Sequence, residues 1–128
     1  MPTLLFADDM EEVRKPLCAL LEQRGYTVLE AADGDEALSL ARSHSSRIDL
    51  LITDIVMPGL GGPELRRAMK GVHPEARVLF ISGYPMVSLD ESAAFLQKPF
   101  KPNVLLDRVA ELVAKGAAAE AEPASVRR

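Results

Sequence analysis

The chain has 128 residues, the size of one ordinary domain, and the 48% that are hydrophobic can fill a core. Its 19 acidic and 15 basic residues give a formal net charge of −4, which argues against nucleic acid as a direct partner. A single cysteine excludes a disulfide framework and a cysteine-rich zinc site. The first nine residues do not have the basic region and long apolar stretch of a signal peptide, and no apolar run approaches the ~18 residues that span a membrane. We therefore expect a cytoplasmic protein without direct membrane contact.

Short apolar runs alternate with segments of helical spacing along the chain. Five runs are typical of strands buried on both faces: Thr3–Ala7, Thr27–Ala31, 50–53, 78–81 and 94–96. Because strands separated by crossover helices pair in parallel, this alternation predicts an α/β fold. The expected architecture is a doubly wound, five-stranded parallel sheet.

The predicted helices have recognisable ends. The first carries Pro16 beyond its first turn, which should cost a hydrogen bond and bend or delay the helix. Asp33 followed by Glu36 indicates an N-cap with its reciprocal partner. A short helix over 63–70 follows the third strand, and Pro102 opens the last helix.

Gly116 lies beyond the expected end of that last helix. Residues 117–128 are rich in Ala and Glu and have little to bury. We therefore expect a domain over residues 1–116, followed by a flexible tail or linker over 117–128.

Polar residues follow four of the five predicted strands: Asp8 and Asp9, Asp54, Ser82, and Lys98. Each has an ordinary structural alternative, because aspartates cap helices, Ser-Gly pairs form turns and loop lysines are solvated. The carboxyl ends of parallel strands, however, share one edge of the sheet, where ligands bind in such folds. The coincidence of all these groups at one edge favours a functional site.

Three neighbouring carboxylates repel one another, and one lysine offsets only part of their charge. A hard divalent cation is expected to balance the rest, and Mg²⁺ suits a site with few protein ligands. Mg²⁺, a lysine and a hydroxyl together suit a phosphoryl group. Because the chain has no glycine-rich nucleotide loop, this group is expected to come from another molecule and to reach Asp54 as an acyl phosphate.

These motifs resemble the receiver domain of two-component response regulators, over about residues 3 to 115. The resemblance rests on Asp8-Asp9, Asp54 followed by Met57-Pro58-Gly59, Ser82-Gly83, and Lys98-Pro99-Phe100. It implies the flavodoxin-like strand order 2-1-3-4-5. It also implies a sensor histidine kinase or a histidine phosphotransfer protein as the donor of the phosphoryl group to Asp54. A weak homodimer is a further candidate assembly.

The same resemblance implies a role for each site residue. Asp9, Asp54 and the backbone carbonyl of Val56 would bind Mg²⁺ directly, and Asp8 would act largely through metal-bound water. Lys98 would contact the phosphoryl oxygens. The hydroxyl residue and the aromatic switch residue of the family correspond to Ser82 and Phe95, and the alternative for Phe95 is a plain packing role on the last strand.

The chain departs from the family pattern between Ser82 and Phe95. Only 12 residues separate them, including Pro85, so we expect a shortened or missing helix there and a mobile segment over 84–93. In this family, two residues flank the water that hydrolyses the acyl phosphate. They are the second residue after the acceptor and the second after the hydroxyl residue, which here are Val56 and Tyr84. Neither residue is an acid or an amide that could orient the water, which predicts slow self-dephosphorylation, with Tyr84 partly blocking access.

Several alternatives remain open. The chain is expected to be a phosphoacceptor rather than a turnover enzyme, either as a single-domain regulator or as the receiver of a hybrid histidine kinase. A degenerate receiver that acts only as a protein-interaction module is the main alternative. A phosphoaspartate hydrolase of the haloacid dehalogenase type would need a second acid at Val56. His44 and His73 are expected on the solvated surface and not to carry phosphate.

Overall fold

The computed structural model describes residues 1–83 and 93–121. Its elements follow in chain order: β1 (Thr3–Ala7), α1 (Glu11–Gln23), β2 (Thr27–Ala31), α2 (Gly34–Ser43), β3 (Leu50–Asp54), α3 (Gly62–Met69), β4 (Arg77–Ser82), β5 (Ala94–Gln97) and α4 (Pro102–Ala121). Every predicted strand is present, and the bounds differ from the prediction by at most one residue at either end.

The five strands form one parallel sheet in the order β2-β1-β3-β4-β5, which confirms the predicted topology. In this register Ala7 pairs with Thr53, and Asp54 pairs with Ile81. The carboxyl ends of β1, β3 and β4 therefore lie side by side, and the residues that follow them are neighbours in space.

Hydrophobic side chains cover both faces of the sheet. On one face, α1 and α4 pack against alternate strand residues, in a cluster that includes Phe6, Leu21 and Val109. On the other face, α2 and α3 pack against the intervening strand residues, around Phe80 and Leu65. The three central strands are therefore buried on both sides, as their continuous apolar sequences predict.

The N-cap of α2 was also predicted correctly. The Asp33 side chain accepts a hydrogen bond from the Glu36 N–H at 2.8 Å. The Glu36 carboxylate in turn accepts from the Ala32 N–H at 2.6 Å, one residue earlier than in the usual reciprocal arrangement. Pro16 lies inside α1 on its exposed side, and the helix continues past it to Gln23.

The last helix differs from the prediction. It does not end before Gly116 but continues through it to Ala121, because the alanines that follow have the highest helix propensity of any residue. The division into a domain over 1–116 and a tail over 117–128 therefore stays a prediction. The expected short or missing helix between β4 and β5 and the expected mobile segment over 84–93 lie, except for Ala93, outside the described part of the chain.

None of the helices within residues 1–83 and 93–121 combines the length and the apolar composition needed to cross a membrane.

Candidate functional site

Three carboxylates meet at the carboxyl edge of the sheet. Asp8 and Asp9 follow β1, and Asp54 is the last residue of β3. One side-chain oxygen from each of the three lies within 4.8 Å of the others. The strand register thus brings together the three acidic residues that the sequence placed at this edge.

Lys98 joins two of these carboxylates. It follows β5, and its Nζ donates to Asp8 Oδ2 and to Asp54 Oδ2, each at 2.9 Å. Burial lowers the pKa of Lys98, but the hydrogen bonds to the two carboxylates outweigh this and hold the pKa above its ordinary value. The ammonium therefore carries a full charge in the site at neutral pH.

Asp8 is completely buried and is held through all of its polar groups. Its N–H donates to the Ala31 carbonyl at 3.2 Å, and its Oδ1 accepts from the Met10 N–H at 2.9 Å. Its Oδ2 accepts from Lys98, and its carbonyl oxygen accepts from Arg14 Nη1 at 2.6 Å. Asp8 is thus a fixed acceptor that faces the neighbouring aspartates.

Asp9 differs from Asp8 in being exposed. The helix-capping alternative for Asp9 does not hold, because α1 begins at Glu11 and its N-cap is Met10, with no side-chain cap. Within the described residues, no hydrogen bond or ion pair is found for the Asp9 carboxylate. This leaves its oxygens available to a ligand from solvent.

Asp54 is 8% exposed, at the bottom of the edge. Its Oδ1 accepts from the Val56 N–H at 3.3 Å, and Val56 is 61% exposed. The start of α3 packs directly on the Asp54 backbone, since a Cβ built on Gly62 would lie 2.3 Å from the Asp54 carbonyl oxygen. Glycine at position 62 therefore allows this close approach.

Ser82 lies on β4 and Phe95 on β5, the two strands on one side of β3. Ser82 ends β4, one residue beyond the partner of Asp54, and is 1% exposed. The Ser82 carbonyl oxygen accepts from the Lys98 N–H at 2.7 Å, which fixes the backbone of Lys98 directly after β5. Phe95 pairs with Phe80 and packs partly buried on the face that carries α2 and α3.

The acidic edge fits a divalent cation. The charges of three carboxylates and one ammonium sum to −2. Carboxylate oxygens are the ligands that Mg²⁺ prefers, and the exposure of Asp9 leaves room for the water molecules that this ion retains. Asp9 and Asp54 are the residues that would hold it, next to the fixed Asp8.

The prediction for His73 was wrong. Its side chain is buried rather than solvated, with Nε2 2.8 Å from the Ala41 carbonyl oxygen and Nδ1 3.0 Å from Glu75 Oε2. His44 lies nearby, with ring centroids 6.3 Å apart, and is partly buried. Both rings therefore belong to the packing between the end of α2 and the loops before β3 and β4, away from the acidic edge.

Arg14 was missed by the sequence analysis. It is 5% exposed on α1 and contacts the Asp8 carbonyl and Glu30 of β2. The available signal was its position three residues before Leu17, which places a charged side chain on the buried face of the helix.

A family model described as the response regulator receiver domain matches residues 4–110 of the chain. Among curated proteins, the sensor kinase CckA of Brucella abortus (strain 2308) is 36% identical over 119 residues, which cover 88% of this chain and 13% of that protein. The response regulator receiver protein CpdR of the same strain is 32% identical over 119 residues, covering 88% of this chain and 98% of that one. The chain thus spans a small part of some relatives and nearly all of others.

Solved structures show the same likeness. The receiver domain of the hybrid histidine kinase CckA is 43% identical, with a TM-score of 0.79 over 87% of this chain and 98% of that one. A complex of CheX and CheY with BeF₃ and Mg²⁺ from Borrelia burgdorferi contains a chain 28% identical, with a TM-score of 0.77 over 87% of this chain and 88% of that one.

Proposed function

Because the chain belongs to the response regulator receiver family of two-component signalling, we propose that it is a Mg²⁺-dependent phosphoacceptor with Asp54 as the accepting residue. The observation that carries the proposal is the meeting of Asp8, Asp9, Asp54 and Lys98 at one edge of the sheet. Of the three carboxylates, Asp54 combines a fixed position with a side chain that is 12% exposed, between the fully buried Asp8 and the exposed Asp9.

The proposed donor is a phosphohistidine on a sensor histidine kinase or on a histidine phosphotransfer protein. An Asp54 carboxylate oxygen forms a bond to phosphorus while the nitrogen–phosphorus bond of the donor breaks and the donor imidazole takes up a proton. No nucleotide takes part in this step. The similarity to a sensor kinase and to the receiver domain of a hybrid histidine kinase supports this class of donor.

The residues of the chain have separate tasks in this step. The hydrogen bonds from Val56 and Lys98 hold the Asp54 carboxylate in one orientation, so that its attack can be in line. Lys98 places its positive charge where the phosphoryl oxygens arrive. When bound by Asp9 and Asp54, together with the Val56 carbonyl, Mg²⁺ would supply further neutralisation of the phosphoryl charge. Asp8, which Lys98 also holds, would act largely through water bound to the ion.

The output is proposed to be a change of partner binding. Lys98 holds Asp54 in the unmodified site, and a phosphoryl group on Asp54 would offer it new oxygens. Ser82, at the end of β4, would then turn its hydroxyl towards the phosphoryl group, and Phe95 would follow as the switch residue. A preference of a few kcal/mol for the new arrangement is enough to shift a two-state equilibrium.

The similarity covers two architectures. One relative is almost entirely a receiver, whereas in another the matching part is a small fraction of a sensor kinase. The proposed chemistry at Asp54 is the same in both architectures.

The test is incubation of the protein with Mg²⁺ and acetyl phosphate, followed by intact-mass measurement. We expect a mass increase of one phosphoryl group that requires Mg²⁺ and persists after the donor is removed. Asp54→Asn should abolish the increase. Asp107→Asn, at an exposed position on α4, should leave it unchanged.

Other results would favour other functions. Continuous release of phosphate without a stable adduct would support a hydrolase. A folded parent protein that never gains mass, even at high donor and Mg²⁺ concentrations, would support a degenerate receiver that acts by protein binding alone.

A further inference from the structure

Arg14 is a buried cation within reach of the acidic edge. Its side chain is 6% exposed, and a guanidinium at such a position needs partners for its donors. Nε donates to Glu30 Oε1 at 2.6 Å, and Nη1 donates to the Asp8 carbonyl oxygen at 2.6 Å. Arg14 thus connects α1 and β2 to the backbone of the acidic pair.

The carbonyl that Arg14 holds belongs to the peptide group between Asp8 and Asp9. Fixing this oxygen fixes the peptide plane, and this plane together with the φ rotation of Asp9 sets the direction in which the Asp9 side chain leaves the backbone. Asp8 has other anchors in Ala31, Met10 and Lys98. For Asp9, no comparable side-chain contact exists in the part of the chain that the structure describes, so its direction depends on the backbone, which Arg14 holds on one side of Asp9 and the Met10 N–H on the other.

Glu30 neutralises the guanidinium and orients it. The hydrogen bond from Arg14 lowers the pKa of Glu30, so the carboxylate stays charged. Burial lowers the pKa of Arg14, but Glu30 outweighs this and raises it overall. The pair therefore adds almost no net charge beside the site, and its remaining effect is geometric.

We propose that Arg14, oriented by Glu30, is a positioning residue that sets the Asp8–Asp9 peptide and thereby the affinity of the site for Mg²⁺. This inference rests on the proposed function, because it assumes that Asp9 is a ligand of the ion. Partners that orient metal ligands typically change metal affinity by about 10- to 100-fold when they are removed.

An electrostatic role and a positioning role of Arg14 predict opposite changes in Mg²⁺ affinity when Arg14 is replaced. If the guanidinium acted only as a nearby positive charge, its removal would strengthen Mg²⁺ binding. If it positions Asp9, its removal weakens binding. Lys15 provides a matched control, because it is the adjacent cation and also approaches Glu30, at 3.5 Å, but is exposed and has no described contact with Asp8.

The experiment is calorimetric titration of MgCl₂, at constant ionic strength, into the parent protein and into Arg14→Met, Arg14→Lys and Lys15→Met. We expect Arg14→Met to bind Mg²⁺ about tenfold more weakly than the parent. Arg14→Lys retains the positive charge but cannot donate to Glu30 and to the Asp8 carbonyl from two separate nitrogen atoms. It should also bind Mg²⁺ more weakly. Lys15→Met should bind as the parent does, or slightly more tightly.

Loss of stability is separated from loss of positioning by Leu17→Ala, a core truncation on the same helix. This variant should unfold more easily but bind Mg²⁺ with the parent affinity while folded. If Arg14→Met does not fold, Arg14→Lys decides the question. Parent-like or tighter binding by the folded Arg14 variants would overturn the inference.

Failure of the proposed function gives a different result. In that case the parent protein itself would neither bind Mg²⁺ nor gain a phosphoryl group at Asp54. A different outcome is that the parent binds Mg²⁺ and becomes phosphorylated while the Arg14 variants bind Mg²⁺ equally well. That result would reject the positioning role of Arg14 and leave the proposed function intact.

Discussion

Lys98 Nζ lies 2.9 Å from Asp54 Oδ2, although the two residues are 44 positions apart in the chain. The parallel sheet makes this contact, because β3 and β5 both end at the same edge, on either side of β4. The same ammonium contacts Asp8, so one side chain links the ends of β1, β3 and β5. This contact joins the group proposed to accept the phosphoryl group to the charge proposed to stabilise it.

Replacement of Lys98 tests this electrostatic role. Lys98→Met removes the positive charge, and we expect phosphorylation by acetyl phosphate to slow by about 100-fold, as when one stabilising donor is lost from an active site. The rate is followed by intact mass over time. Lys101→Met, an exposed lysine in the following loop, serves as the control and should react at the parent rate. An unchanged rate in Lys98→Met would show that the ammonium is not used.

Asp9 should couple the stability of the fold to Mg²⁺. A ligand at 100 times its dissociation constant stabilises the folded state by about 2.7 kcal/mol. We expect that gain for the parent and little gain for Asp9→Asn at the same Mg²⁺ concentration. Without Mg²⁺, Asp9→Asn should be at least as stable as the parent, because one charge is removed from a cluster of net charge −2.

Urea unfolding with and without Mg²⁺ measures both quantities. Asp107→Asn, outside the site, should behave as the parent does. An equal Mg²⁺ gain in Asp9→Asn would remove Asp9 from the metal site.

The contact between Glu75 and His73 predicts a stability change in acid. Burial raises the pKa of Glu75, but its own backbone N–H, the His73 ring and the Ile48 N–H outweigh this and lower the pKa overall. The unfolded state therefore binds the proton more readily than the folded state. The stability contributed by Glu75 is present above its ordinary pKa of 4.5 and is lost as the pH falls through the lower value in the folded protein.

Urea unfolding at a series of pH values checks this. Glu75→Gln should be less stable than the parent at neutral pH. The difference between their free energies of unfolding should disappear once the pH is below the pKa of Glu75 in the folded protein. Glu22→Gln, on the exposed side of α1, should run parallel to the parent. A constant difference between Glu75→Gln and the parent across the whole pH range would contradict the assignment.

The lifetime of the acyl phosphate should depend on Val56. Val56 is 61% exposed and has no group that could orient an attacking water. We expect slow loss of the phosphoryl group in the parent and a several-fold shorter lifetime in Val56→Asn. The decay is measured by intact mass after removal of the donor. Val72→Asn, an exposed valine after α3, controls for general effects, and equal lifetimes in Val56→Asn and the parent would count against this account.

Much of this arrangement could be predicted from the sequence, because the relevant signals are local. Continuous apolar runs identified the strands, and the rule that ligands bind beyond the carboxyl ends of parallel strands brought Asp54 and Lys98 to one edge. The parallel strand order then determines which of these residues are neighbours at that edge. What the sequence could not show was which partners the buried polar side chains find.

Arg14 and His73 illustrate that limit. Arg14 can be buried because its guanidinium donates to Glu30 and to the Asp8 carbonyl. His73 can be buried because its two ring nitrogens contact Glu75 and the Ala41 carbonyl. Glu30 is 16 residues from Arg14 and Ala41 is 32 residues from His73 in the sequence, so these two partners come close only through the tertiary fold. The extension of α4 past Gly116 reflects a different cause, the helix propensity of the alanines that follow, which outweighs the stop signal of the glycine.

The residue that carries the phosphoryl group can be identified by chemical reduction. Borohydride reduces an aspartyl phosphate to homoserine, so reduction of the Mg²⁺-dependent adduct, followed by proteolysis and peptide sequencing by mass spectrometry, identifies the modified residue. We predict the reduced residue at position 54 and nowhere else. Its appearance at position 8 or 9, or an adduct that resists borohydride and remains on another residue type, would contradict the account.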